Sequence, residues 1–235
     1  AWGMQIKQKN LRETCCQLYA QLNHCGVETD VVGVDADLNR YKLVVLPMLF
    51  MTKPGFAQKI REYVENGGTV VATYLLGYVD ESTLCWLGGF PGDGLREVFG
   101  VTASELDTLY PGEGNRAIWV KSSQQSSIKD YCELLQPAEG TEVVAVYGQD
   151  FYSGHAAVTH HVSARGTLIT SVRAWMMPAT PLCCVQLWPM PRCTCVTCRR
   201  VWNTTAAKAR TRATISTSTP PRAQLRCRWN PVQTC

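Results

Sequence analysis

Beyond Asp150 this 235-residue chain contains no aspartate or glutamate, although the residues up to that point hold all 19 of its acidic side chains. Residues 151–235 carry 11 lysines and arginines, so the first 150 residues have a formal charge of 12 − 19 = −7 and the remainder +11. The overall charge of +4 conceals that asymmetry. The sequence also has no run of 18 consecutive apolar residues and no leading charged, apolar and small-residue pattern. These absences argue against a membrane-spanning helix and against an export signal. The early cysteines, Cys15, Cys16, Cys25, Cys85 and Cys132, therefore read as free or buried thiols of a cytoplasmic protein. An initiating methionine is missing too: the chain opens at Ala1-Trp2 inside a helical pattern, as a fragment would.

What is present up to about residue 167 alternates between two periods. Met4, Leu11, Cys15, Leu18 and Leu22 recur at the spacing of one helical face over residues 2–25, and Gly26 supplies a stop. VETDVVGV (27–34) reads as a short strand, and YKLVVLPM (41–48) as a strand buried on both faces. Pro54 opens a helix whose face is Phe56, Ile60, Tyr63 and Val64, and Gly67-Gly68 ends it. TVVATYLLG (69–77) is the next apolar strand. Further strands are expected at 117–121, 141–147 and 156–162. Strand, helix and strand at this spacing predict a βαβ crossover and hence an α/β domain with an open, mostly parallel, flavodoxin-like sheet.

In such sheets ligands bind at the carboxyl ends of the strands. After VVATY a hydrolase of amidotransferase type would carry its nucleophile on a tight turn, but Thr73 and Tyr74 stand there and no thiol does. Cys85, in STLCWLGGF, has apolar neighbours and reads as a packed structural thiol; an amidotransferase-like hydrolase using it as nucleophile would need a histidine within hydrogen-bond reach. His24, His155, His160 and His161 read as surface or packing residues, the last two on opposite faces of one strand. LGGFPGDGL (87–95) lacks the lysine and hydroxyl of a phosphate loop and reads as a turn or contact surface. Asp35, Asp37, Asp80, Glu81 and Asp93 are scattered loop acids. No catalytic, cofactor-binding or metal-binding set is apparent, and no cofactor is expected.

The run from YKLVVLPMLFM through the KPG helix start, the VENGGT turn, the VDE loop and LGGFPG to LREVFGV (41–101) closely resembles the middle domain of glycoside hydrolase family 42 β-galactosidases, known as the trimerisation domain. ELDTLYPGEGN (105–115), CELLQPAEGTEVVAVYGQDFYSGHAAVT (132–159) and Arg165-Gly166-Thr167 extend the resemblance over roughly residues 1–167. It implies a class I glutamine amidotransferase-like fold without amidotransferase chemistry, shortened by one strand at its start. It also implies a homotrimer in the intact parent enzyme, whose separate (β/α)₈ barrel would bind the galactoside and hydrolyse terminal β-D-galactose. That barrel has no counterpart here, so the chain is expected to be inactive alone. Leu84, Trp86, Leu87 and Phe90 are the candidate interface residues.

Residues 168–235 read differently. Trp175-Met176-Met177 must be encoded TGGATGATG, and the frame that borrows the preceding base reads through as Asp-Asp after a first apolar residue. Trp202-Asn203 and Trp229-Asn230 each force a glutamate in the same frame, so the missing acids reappear one register away. A frameshift near Thr167 is the expectation, leaving a basic, cysteine-rich and largely disordered tail. Read at face value, the tail would suggest a zinc or nucleic-acid module, but Cys195 and Cys198 form a single C-x-x-C pair whose only companions are Cys183, Cys184, Cys193, Cys227 and Cys235. Neither a nucleic-acid nor a membrane partner is expected.

Overall fold

The computed structural model describes residues 11–24, 26–163 and 166–171, and for 168–171 the backbone only. Helix α1 (Leu11–His24) ends where the amide of Gly26, at φ 75°, donates to the Asn23 carbonyl and that of Val27 to Leu22. This paired closure needs a left-handed residue, which glycine adopts without a Cβ penalty. Strand β1 (Leu43–Leu46), helix α2 (Phe56–Glu65) and strand β2 (Thr69–Ala72) form the expected βαβ unit, with β1 and β2 parallel in the register Leu43↔Thr69 to Leu46↔Ala72. The helix starts two residues after Pro54, with Gly55 as its N-cap. Its predicted face is buried: Phe56, Ile60, Tyr63 and Val64 pack with Val70, Ala72 and Leu76, and with Leu95, Val98 and Phe99 around the short helix α3 (Leu95–Phe99). Each such large side chain contributes roughly 1.5–3 kcal/mol through removal from water.

After α3 the chain is almost all strand: β3 (Val101–Thr108), β4 (Asn115–Trp119), β5 (Gln125–Ile128), β6 (Tyr131–Pro137), β7 (Thr141–Tyr147), β8 (Ala156–Ser163) and β9 (Gly166–Ser171). Among the described residues the nine strands form one curled open sheet in the order β1-β2-β9-β8-β7-β4-β5, with β6 pairing β3 and β8 off that path. Strand β9 pairs β2 in parallel, and all pairings among the later strands are antiparallel. The mostly parallel sheet expected from the sequence is therefore corrected to a mixed one. A parallel neighbour requires a crossover of a dozen residues or more, and the short connections β4–β5, β7–β8 and β8–β9 permit only antiparallel hairpins.

The expected strand at 27–34 is also absent. That segment joins no ladder of the sheet, and Val31 is 85% exposed. A second core lies within the antiparallel part, around Trp119, Ile128, Cys132, Leu134, Tyr147 and Tyr152. Each aromatic there finds a partner for its polar atom: Trp119 Nε1 donates to Ser126 Oγ at 3.0 Å, Tyr147 Oη to the Glu133 carbonyl at 2.8 Å and Tyr152 Oη to Asp107 Oδ2 at 2.7 Å.

Candidate functional site

The carboxyl ends of β1 and β2 are built from side chains turned to structural ends. Two non-glycine residues there are left-handed, Met48 at φ 43° and Leu75 at φ 60°. The amide of Met48 donates to Thr73 Oγ1 at 2.7 Å, and the hydroxyl of the fully buried Tyr74 donates to Met48 Sδ at 2.8 Å. Thr73 and Tyr74, which stand where a nucleophile would, instead hold the turn after β1. No thiol or hydroxyl is presented to solvent by this turn.

One carboxylate lies against it. Glu133, in the middle of β6, is 2% exposed, and its Oε1 accepts from Tyr78 Oη at 2.7 Å and from the Leu75 amide at 3.3 Å. Burial pushes its carboxyl up to about 7, the two hydrogen bonds opposing that rise, and burial with the neighbouring Glu133 raises the Tyr78 phenol. The ring of Tyr78 lies between Phe50, at 5.6 Å, and Phe90, at 4.1 Å between centroids.

From Tyr78 the chain makes a small hairpin. Asp80 accepts from the amides of Ser82 and Leu84 at 2.8 and 3.0 Å, Val79 bridges Cys85, and the Trp86 amide returns to the Tyr78 carbonyl. Trp86 is half-buried, with Nε1 donating to Thr52 Oγ1 at 3.1 Å and its indole directly over Gly92, where any Cβ would overlap it. Leu84 and Leu87 project outward, 66% and 96% exposed. At the far end Asp93 accepts from the amides of Gly55 at 3.2 Å and Ala57 at 3.0 Å, capping α2 from a distant loop. The four residues singled out from sequence therefore share one loop but divide into two anchors, Trp86 and Phe90, and two exposed tips, Leu84 and Leu87.

The remaining candidates separate. Cys85 is exposed, not packed as expected, because the hairpin turns its strand-like edge outward. Among the described residues no histidine is hydrogen-bonded to it; His160 instead meets Glu142 Oε2 at 3.3 Å and His161 meets Thr141 Oγ1 at 2.9 Å, from opposite faces of β8. The amidotransferase-like alternative is not supported. Asp35 pairs with Lys53 at 3.0 Å and Asp37 caps a 3₁₀ turn, so these loop acids serve the backbone and the surface. Among the described residues no cluster of histidine, cysteine and carboxylate side chains could hold a metal, and no helix is long and apolar enough to cross a membrane. Trp2, Cys25, Arg165, the tail cysteines 183, 184, 193, 195, 198, 227 and 235, and the Trp175-Met176-Met177 frameshift marker lie outside the described residues.

Sequence reasoning missed Glu133 and the capping role of Asp93. A lone acid inside the apolar run CELL was the available signal for the first; the second depends on a contact 36–38 residues away in the chain.

Residues 1–173 match a family model described as the β-galactosidase trimerisation domain. The chain is 43% identical over 166 residues to the β-galactosidase Pbg of Clostridium perfringens, covering 68% of this chain and 24% of that protein. It is 43% identical over 162 residues to the β-galactosidase BglY of Alicyclobacillus acidocaldarius, covering 66% and 23%. Among solved structures, the β-galactosidase of Rahnella sp. R3 superposes with a TM-score of 0.66 at 37% identity, over 68% of this chain and 24% of that one. The chain thus spans about a quarter of the length of the relatives it matches.

Proposed function

The chain belongs to the β-galactosidase trimerisation domain family, and on that premise we propose that it is the non-catalytic assembly module of a larger β-galactosidase. The module holds three subunits together, while the galactoside is bound and cleaved by a barrel domain elsewhere in the parent enzyme. Its β1-α2-β2 unit and the parallel β9 are the part that corresponds to a flavodoxin-like, class I glutamine amidotransferase-like sheet. The module, expected at residues 1–167, continues through β9 to Ser171 with the basic tail beyond it, and it works in the cytoplasm.

The observation that carries this reading is the loop 78–93. It presents Leu84 and Leu87 to solvent on a base of half-buried Trp86 and Phe90. Apolar tips around aromatic anchors are the composition of an interface core, and we assign the intersubunit contact to these four residues. Sedimentation velocity of the full chain at rising concentration tests it. The wild-type chain forms trimers, and Leu87→Asp, which places a charge at the most exposed tip, shifts the distribution to monomer. A variant that associates like the wild type refutes the assignment. Turnover of a chromogenic galactoside by the isolated chain would overturn the non-catalytic reading.

A further inference from the structure

The contact loop is tied at both ends by carboxylates of different character. Asp93 holds one end from a half-buried position on the loop itself. At the other end the holder, Glu133, sits in the sheet and is sealed from water. Strand β6 is hydrogen-bonded to β3 on one side and β8 on the other, so Glu133 has no freedom to follow its partners if they move. On the loop side Tyr78 is bonded through its main chain to Phe50, while residues 81–85 and 87–88 are exposed.

The groups around Glu133 provide donors but no countercharge. From the loop come the Tyr78 hydroxyl and the Leu75 amide. From β7 comes Tyr147, whose hydroxyl is spent on the main-chain carbonyl of Glu133. Across the ladder on β3 stands Leu106, flanked by Glu105 and by Asp107, the latter engaged by Tyr152. Along β6 itself the neighbours are Tyr131, Cys132 and Leu134. Asp80, on the loop, is occupied by its own turn. No lysine, arginine or histidine acts on the carboxyl among the described residues.

We propose that Glu133 is the positioning residue of the assembly loop: through Tyr78 it holds the stack of Phe50, Tyr78 and Phe90 at the base of the loop, and loss of its proton to solvent loosens the loop. A buried carboxylate with two donors and no cation is poorly compensated, and the least costly relief is local opening of the surface segment that covers it. The raised proton affinity described above puts this event near neutral pH. The consequence for assembly rests on the loop being the intersubunit contact.

Hydrogen exchange of residues 75–93 in the full chain, corrected for intrinsic rates, reads the loop directly between pH 5.5 and 8.5, and sedimentation under the same conditions reads association. Loop exchange in the wild type should accelerate at least tenfold across that range, with association weakening in parallel. Glu133→Gln keeps an oxygen for both donors and should flatten both profiles. Tyr78→Phe removes the tether and should leave the loop fast-exchanging at every pH. Identical pH profiles for wild type and Glu133→Gln, or a wild-type loop whose protection does not change with pH, overturn the positioning role whatever association does. A loop that titrates while association stays flat supports that role and instead refutes the assignment of the contact to this loop.

Discussion

Asp93 offers a quantitative test of how the loop is held. Helix α2 begins at Gly55, which has no side chain to cap it, and the two amides that Asp93 receives are among those a helix leaves without partners. Removing the carboxylate forfeits a cap worth about 1 kcal/mol and the interaction of a negative charge with the helix N-terminus, roughly 0.5 kcal/mol at a half-exposed site. Asp93 itself is left-handed, at φ 56°. An alanine there adds a backbone penalty of about 1 kcal/mol that glycine avoids. Asp93→Ala should therefore cost about 2–3 kcal/mol, Asp93→Gly about 1–1.5 and Asp93→Asn, which tolerates the conformation and retains one acceptor, less than about 1.

Urea unfolding of the three variants with the wild type measures these differences, and their order matters more than their size. If alanine and glycine cost the same, the left-handed conformation is not held in the folded protein. If both fall within about 0.5 kcal/mol of wild type, the long-range cap contributes nothing and the loop is attached by other means.

Glu133→Gln also has a thermodynamic signature. The folded carboxyl, raised to about 7 from 4.5, binds its proton more tightly than the unfolded one. Its contribution is then complete below about pH 4.5 and is lost as pH rises through 7. Relative to the glutamine variant, the wild type should lose on the order of 3 kcal/mol between pH 4 and 8, and parallel urea curves at the two pH values would exclude it. At Gly166 a Cβ would overlap the carbonyl oxygens of Val64 and Gly68, so Gly166→Ala should destabilise by about 2–3 kcal/mol in thermal melts; a neutral result would mean that β9 does not pack against the end of α2. Peptide-resolved thiol labelling should modify exposed Cys16 and Cys85 first and leave Cys132, whose thiol burial pushes up to about 11, protected until unfolding.

Elements whose signal is local were legible in the sequence, and those defined by a partner were not. The apolar stripe Phe56, Ile60, Tyr63, Val64 and the Gly67-Gly68 stop locate α2 because helical hydrogen bonds close within the segment. Strands β7 and β8 were found nearly to the residue from their apolar runs. VETDVVGV has equally good β composition but no neighbour to complete its ladder, so composition alone misled. Strand β5, QSSI, is polar at three of its four residues and was missed; it exists because Asn115–Ile118 lies opposite it. Strand direction failed for the same reason, since one βαβ unit says nothing about what joins the sheet later. The candidate contact was legible as residue types, Leu84, Trp86, Leu87 and Phe90, but its division into anchors and tips depends on Thr52 and Gly92, neither adjacent in sequence.

That division bears on how an exposed loop can serve as an interface at all. Association must offset the entropy of ordering each mobile side chain it captures, about 0.5–1.5 kcal/mol apiece, so a loop that is free in the monomer would give back much of what its leucines contribute. Here the ordering is done on folding. Trp86 is fixed by Thr52 and Gly92, Phe90 by Tyr78, Tyr78 by Glu133, and the end of the loop by Asp93. Leu84 and Leu87 are then the side chains whose apolar surface remains to be buried. Tyr78 and Asp93 of the loop turn inward to their partners, and Leu84 and Leu87 point outward. Weakening a tether should therefore reduce association without altering any residue that touches a partner subunit, whereas changing a tip should reduce association and leave the loop's own order intact.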